Sequence, residues 1–428
     1  MNDMMKHLPL ISAVLGTALI VLLLITLLIK YFATVFKSES KASLFLSKGS
    51  SAEHRPGNWK NAVLQALVWF AVSRAFILLA TCVYAKLCGN EAYFANMYAH
   101  WTKWDAPHYL GLIKNWYVNE GDPRFHIVFF PMYPLVCRML LPLFGGNADV
   151  SAMVVSNICA CIAGALVYQI AALEYGEKTG ARATRFFFLN PLSFFLSLPY
   201  TESLFLLLTM AAVYLARRRR YAFALIAGAM CAACRLMGIV VAIPVFYAML
   251  ADDREKGLLS LKRTAVRFVS CFVILLGVAA YLFLNWKVTG NPFQFWIYQE
   301  EHWHNTTGTL WNTFRYIFDY ALYTDNIAMR MGTWVPTIVL IYAAVALLWL
   351  HARRSNAGDA AYGWAYMYMT IVPTWLISGP RYVSGLYCLY PMLADAARRK
   401  WVDWALCIVF VLGLGYMSCM FVFFSGVY

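Results

Sequence analysis

Apolar runs and clusters of basic residues alternate along the chain. The first run, Leu8–Ile29, holds no charged residue. It is long enough to cross a bilayer as a helix, for which about 20 apolar residues suffice. A polar stretch carrying Lys30, Lys37, Lys41, Lys48, Arg55 and Lys60 follows, and then a second run, Ala62–Leu87. Cytoplasmic loops carry the excess of Lys and Arg, so this pattern predicts an external N-terminus and a cytoplasmic linker. Further spans are predicted at Val150–Leu173, Ala265–Trp286, Trp334–Leu350, Tyr362–Ile377 and Leu406–Phe424, with a short segment returning to Arg398, Arg399 and Lys400 before the last. Cys88–Phe125 and Lys287–Thr333 read as two long external loops, the first rich in Trp and Tyr, residues that suit a membrane–water interface.

Two apolar runs have the wrong length. Phe186–Ala216 and Tyr221–Leu250 are bracketed by Lys178, Arg182 and Arg185, by Arg217–Arg220, and by Arg254, Lys256, Lys262, Arg263 and Arg267. If every basic cluster faces the cytoplasm, each run leaves and returns on one side. Natural turns stand at their middles, Leu198-Pro199-Tyr200-Thr201-Glu202-Ser203 and Cys234-Arg235-Leu236. Both therefore read as hairpins of short helices. Irregular backbone at such depth is tolerated only when buried in protein or lining a wet cavity, so a cavity is expected. One segment breaks the alternation. If His126–Phe144 crossed inward, the next span would end outside beside Lys178 and Arg182; Pro131, Pro134 and Pro142 interrupt it, and a re-entrant path is the alternative.

Composition agrees with the pattern. Hydrophobic residues make up 62% and charged residues 13% of the 428, against about 45–50% and about 25% in soluble domains. A soluble enzyme, a secreted disulfide scaffold and a disordered chain are excluded. The net charge of +14 sits in short clusters that orient spans and forms no nucleic-acid patch. Most of the 11 cysteines lie in apolar runs, where Cys behaves as a small hydrophobe. Cys231 and Cys234 form a C-x-x-C without the second pair or strand–helix context that metal or redox work needs. Leu8–Ile29 exceeds the apolar core of a cleaved signal peptide and reads as retained. The expected fold is all-α and polytopic, with residues 1–61 an N-terminal transmembrane helix and basic linker and residues 62–428 the catalytic bundle.

Ionisable groups near membrane depth are costly and mark function by default. Asp105 follows Trp104 and precedes Ala106-Pro107-His108-Tyr109; such a carboxylate can serve as a general base or simply cap the helix that follows. Arg235 is the sole charge in Tyr221–Leu250, and Arg381 stands in the turn Ser378-Gly379-Pro380-Arg381-Tyr382. Both suit phosphate, which the planar guanidinium binds well, while Arg235 could equally snorkel or be paired. Glu202, in its hairpin turn, can pair with an arginine or orient an acceptor hydroxyl. His302 and His304 flank Trp303, but H-x-H alone does not converge ligands on a metal, and an amphipathic external helix or a substrate-contacting rim is the plainer reading.

At these residues the chain resembles a known family. Trp104-Asp105-Ala106-Pro107-His108-Tyr109-Leu110, with Phe129-Phe130-Pro131-Met132-Tyr133-Pro134, resembles the first-loop signature of PIG-V-like mannosyltransferases. Asn190-Pro191-Leu192-Ser193-Phe194-Phe195, running into Pro199-Tyr200-Thr201-Glu202-Ser203, is similar to the second motif. Gly290-Asn291-Pro292-Phe293 with Gln299 and Trp303, then Pro380-Arg381-Tyr382, follow in order. The resemblance covers about residues 100 to 385. It implies a GT-C glycosyltransferase: a helical membrane bundle whose external loops carry the active site. It implies a polyprenyl- or dolichyl-phosphate mannose donor, inversion at the anomeric carbon, a lipid-linked or glycan acceptor, and neither metal nor cofactor. Asp105 inherits the role of base. His108 inherits an acceptor or phosphate contact, and Glu202, Arg235, Arg381, Trp104, Tyr200 and Gln299 inherit places in the substrate site. There are departures: Asn115-Trp116-Tyr117 stands where the family often has Gly-Tyr, and Cys234-Arg235-Leu236-Met237-Gly238 replaces a more polar Thr-Arg-Ser-Asn-Gly. The expected location is a bacterial or archaeal cytoplasmic membrane with the site outside, the ER membrane with a lumenal site being second. Competing readings are a transporter or flippase of a lipid-linked saccharide, disfavoured by the lack of internal repeats, and a membrane O-acyltransferase, disfavoured because no His lies within a long apolar run.

Overall fold

The computed structural model describes residues 3–36 and 56–428, and the side chains of 8–31 and 56–428. Most of the basic linker, residues 37–55, lies outside the described residues. The described residues form helices and connecting turns with one isolated β-bridge, Thr307 to Pro373. Seven helical segments are long and apolar enough to cross a membrane, as expected for an all-α, multi-pass membrane protein. The principal helices are α1 (Asp3–Phe36), α2 (Trp59–Leu87), α3 (Asp105–Asn115), α4 (Ala148–Tyr175), α5 (Glu177–Leu189), α6 (Glu202–Arg217), α7 (Tyr221–Cys234) and α8 (Ala242–Glu255). They continue with α9 (Leu275–Thr289), α10 (Leu310–Tyr323), α11 (Val335–Leu350), α12 (Ala357–Ile371), α13 (Gly379–Ser384), α14 (Leu389–Ala396) and α15 (Lys400–Phe424).

The bundle has two chemically distinct ends. At one, the basic clusters meet acidic partners: Arg217 bonds Asp359 and lies 3.5 Å from Glu174, Arg267 reaches Asp253 at 2.8 Å, Arg219 reaches Asp252 at 3.0 Å, and Arg185 pairs with Asp403. At the other end lie the aromatic loops. The Lys103 ammonium there donates to the Val422 carbonyl at the end of α15, at 2.7 Å.

This division resolves the segment that broke the alternation. Asp122–Val128 and Met132–Phe144 are bent by 112° to one another. The arm after the bend folds back onto the chain that precedes the first arm: Arg138 donates to the carbonyls of Ile113 and Lys114 at 2.9 Å each, and Asp149, at the start of α4, accepts from the Tyr98 hydroxyl at 2.6 Å. The segment is re-entrant. Accordingly α4 starts at the loop end and delivers Lys178 and Arg182 to the basic end.

Both expected hairpins are present, although the return arm of the second, Leu236–Glu255, is not short but long and apolar enough to cross a membrane, and a third hairpin joins them. α5 and α6 leave and return to the basic end around a tip at 190–201; α7 and α8 do the same around Arg235; α12, α13 and α14 form the third. The first tip is held deep in the bundle, where the Ser156 hydroxyl donates to the Leu198 carbonyl at 2.7 Å. Ser156 lies eight residues into α4, about 12 Å from its start at 1.5 Å per residue. Helices in lipid associate through close packing, since the surrounding tails are as apolar as the helix faces. Glycines supply the approach: a Cβ on Gly277 of α9 would stand 1.9 Å from the Ala229 carbonyl of α7.

One expectation needs correcting. Lys287–Thr333 is not an external loop throughout. Its residues Phe314, Ile317 and Ala321 are buried along one face of α10, and that face packs on α1, where a Cβ on Gly16 would lie 2.6 Å from the Phe314 ring. The polar residues between them mask a helical periodicity that a run-by-run reading passes over.

Candidate active site

The three hairpin tips converge on the loop that precedes α3. Trp104 takes φ 54°, a left-handed conformation that non-glycine residues rarely adopt, and so turns the chain into the helix with Asp105 at its first position. The loop is pinned from two sides. Lys103 is anchored on α15, and its carbonyl accepts the Tyr200 hydroxyl from the first tip at 2.7 Å. Trp104 packs on Tyr428 with ring centroids 3.9 Å apart.

Four charges then lie in a row. Arg381 Nη2 donates to Asp105 Oδ2 at 2.7 Å. Arg381 Nε lies 3.2 Å from Glu202 Oε1, and that same oxygen accepts from Arg235 Nη1 at 2.9 Å. The signs alternate and the row is neutral, which is how ionised groups survive burial. The aromatic rings of Phe195, Tyr200 and Tyr382 surround the Arg381 guanidinium at 5.5, 5.2 and 5.5 Å, and Tyr382 also faces Arg235 at 5.0 Å, a cation–π sandwich that fixes both arginines. Burial disfavours the charge on Arg381, yet Asp105 and Glu202 more than offset this and hold its pKa well above the ordinary value.

Exposure separates the roles. The side chains of Glu202, Arg381 and Arg235 are 4%, 5% and 14% exposed, whereas Asp105 is 26% exposed. Asp105 is thus the more accessible carboxylate of the row. The row also has unused capacity: Arg381 Nη1, Glu202 Oε2 and Trp104 Nε1 are buried with no hydrogen-bond partner among the described residues. Buried polar atoms are rarely left so. An arrangement of this kind can hold an anionic group on arginine while presenting a carboxylate to a hydroxyl.

His108 stands one turn after Asp105. Its Nδ1 lies 3.0 Å from His126 Nε2, its ring stacks on Phe129 at 5.3 Å and meets the edge of Trp303 at 5.6 Å. Burial pushes the His108 pKa below its ordinary value, Asp105 opposing and His302 adding to the effect. His302 stacks on Phe125 at 4.0 Å. Gln299 sits on Gln294–Glu301, and among the described residues no hydrogen bond joins its side chain to the row; its carbonyl accepts from the Asn305 N–H at 2.9 Å. Cys231 and Cys234 are buried in α7, Cys231 with its sulfur 3.1 Å from the Thr209 hydroxyl. Lys103, Phe195, Tyr382 and His126 were not singled out from the sequence. Tyr382 and Phe195 lie inside the quoted motifs, so adjacency alone was the available signal.

The profile of a family described as mannosyltransferase (PIG-V) matches residues 61–317. The chain belongs to the PIG-V family. The matched stretch includes Asp105, His108, Glu202, Arg235 and Gln299; the third hairpin with Arg381 lies beyond it. A relative from Cricetulus griseus, named GPI alpha-1,6-mannosyltransferase 2, is 28% identical over 153 residues. That alignment spans 33% of this chain and 30% of the relative.

Proposed function

We propose that the protein transfers a mannosyl residue from a polyprenyl- or dolichyl-phosphate donor to a hydroxyl of a lipid-linked or glycan acceptor. Family membership and the relative's name support mannosyl transfer, and the row of charges supports the mechanism. The observation that carries it is the Asp105–Arg381 pair: an accessible carboxylate held against an arginine that keeps a buried N–H unused.

In this reading the donor phosphate is held by Arg381 and Arg235. The acceptor oxygen attacks the anomeric carbon from the side opposite the phosphate and its proton passes to Asp105. The C–O bond to phosphate breaks with its electron pair leaving on the phosphate. The arginines stabilise the charge that builds there, and electrostatic stabilisation of this kind usually contributes most to catalysis. One displacement inverts the configuration. Glu202 holds the two arginines at one spacing. Trp104, Tyr200, His108 and Gln299 complete the walls of the substrate site. The excess of basic residues at the opposite end of the bundle supports a cytoplasmic basic end and a site facing outward, in a bacterial or archaeal cytoplasmic membrane.

The test is transfer of radiolabelled mannose from polyprenyl-phosphate mannose to a membrane lipid extract. Wild type is expected to transfer, and a folded Asp105→Asn protein to lose about 100- to 10,000-fold of that rate, the usual contribution of a general base. Full transfer by the variant would remove Asp105 from the role.

A further inference from the structure

α10 carries a polar face that its position in the bundle does not explain. Its apolar face packs on α1 at Gly16, which lies eight residues inside the span Leu8–Tyr31, about 12 Å from the start of that span at 1.5 Å per residue. The other face bears Asn312, Arg315 and Asp319, spaced as neighbours along a helix. Together with Thr313, Tyr316 and Thr374 these residues line a cavity of about 440 Å³, within the range of small-molecule sites. Polar groups at this depth belong against water or a polar ligand, because hydrocarbon cannot satisfy them.

Asn312 and Arg315 are exposed and Asp319 is half-buried, so these groups stand open to whatever occupies the cavity. The Thr313 hydroxyl is buried with no partner among the described residues, and Thr313 itself is 1% exposed. Among the described residues, neither Arg315 nor Asp319 takes part in an ion pair, and the Asn312 carboxamide makes no hydrogen bond. One carboxylate, one guanidinium, an amide and a hydroxyl around an aromatic ring make a neutral set of mixed donors and acceptors. Such a set matches vicinal hydroxyls on a sugar ring and does not match a dianionic phosphate.

One segment of chain joins the cavity to the neighbourhood of the row of charges. The Thr306 N–H donates to Thr374 Oγ1 at 2.9 Å, and the Gly308 N–H to the Val372 carbonyl at 2.8 Å. Val372 and Thr374 precede Arg381 in the third tip. Three residues before Thr306, Trp303 touches His108, one turn from Asp105. The segment from 303 to 308 therefore runs from the helix of Asp105 to the cavity.

We propose that this cavity is the acceptor site, and that Asn312, Thr313, Arg315 and Asp319 hold the polyhydroxylated headgroup of a glycolipid there. The assignment rests on the transferase reading for the word acceptor, but the glycan-binding site is testable without it. The probe is octyl α-mannoside, with octanol as the control for its tail, titrated into the full-length protein in nanodiscs. Wild type is expected to bind the mannoside saturably. Asp319→Asn and Asn312→Ala are each expected to weaken binding about tenfold or more, as losing a hydrogen bond to a buried or charged partner does. Thr313→Val keeps the side-chain shape, removes only the hydroxyl, and is expected to weaken binding with an unchanged melting temperature. Variants that bind like wild type, or a wild type that binds mannoside no better than octanol, would overturn the proposal. A transfer assay separates the two readings: glycan binding without any transfer from polyprenyl-phosphate mannose leaves the site standing and removes the donor. Transfer in which the variants raise the KM of the donor and leave that of the acceptor unchanged overturns the acceptor assignment.

Discussion

Glu202 is the residue on which the row of charges depends. A single oxygen, Oε1, meets Arg235 Nη1 at 2.9 Å and Arg381 Nε at 3.2 Å, in a side chain 4% exposed. Glu202→Gln keeps the shape and removes the charge, so the row passes from neutral to +1, with Arg235 left without its carboxylate partner and Asp105 the remaining carboxylate. Breaking a buried pair by removing one partner typically costs about 3–5 kcal/mol. The carboxamide oxygen can still accept one hydrogen bond, which puts the expected loss near the lower figure, about 3 kcal/mol. Arg235→Gln should cost a similar amount. The double variant restores neutrality, so it should cost less than the sum by about 2 kcal/mol, well above the scatter of about 0.3–0.5 kcal/mol between independent sites. Unfolding free energies measured by steric trapping in bicelles give the cycle directly. A coupling within about 0.5 kcal/mol of zero would refute the reasoning, since it would mean that water screens these charges in place of one another.

Two further outcomes are expected. His108 is held below its ordinary pKa of 6.5, chiefly by burial, so below about pH 6.5 the unfolded chain takes up a proton that the folded one refuses, and stability falls as pH drops. Melting temperatures at pH 7.5 and 5.5 should show that loss in wild type and a smaller one in His108→Gln; equal losses would contradict it. Arg74 lies in the span Trp59–Leu87 with Nε, Nη1 and Nη2 buried and unbonded among the described residues, its guanidinium 5.2 Å from Phe70. Burying an ion costs several kcal/mol that only a partner repays, so Arg74→Leu should unfold at higher temperature and keep transfer activity. A folded Arg74→Leu protein without activity would assign the arginine a role in function.

The sequence alone determined whatever follows from charge that cannot cross a bilayer. Basic clusters at Arg182, Arg217–Arg220 and Arg254–Arg267 forced Phe186–Ala216 and Tyr221–Leu250 into hairpins, and the same logic put Glu202 and Arg235 at their tips. Asp105 and Arg381 were legible as ionisable residues in turns beside aromatic motifs. The tertiary structure decided which tips meet. Glu202 and Arg381 are 179 positions apart, and nothing in the spacing says that one carboxylate oxygen is shared by two arginines. It also decided that 122–144 turns back, because that depends on Arg138 and Asp149 finding partners at one end of the bundle. The cluster of Glu174, Arg217 and Asp359 at the basic end, and the burial of α10 against Gly16, belong to the same class. Sidedness is written into local charge because each basic cluster carries its own cost of crossing. Packing within lipid has no such local signal: apolar faces all resemble the solvent around them, and only the fit of small residues and the pairing of distant charges selects one arrangement.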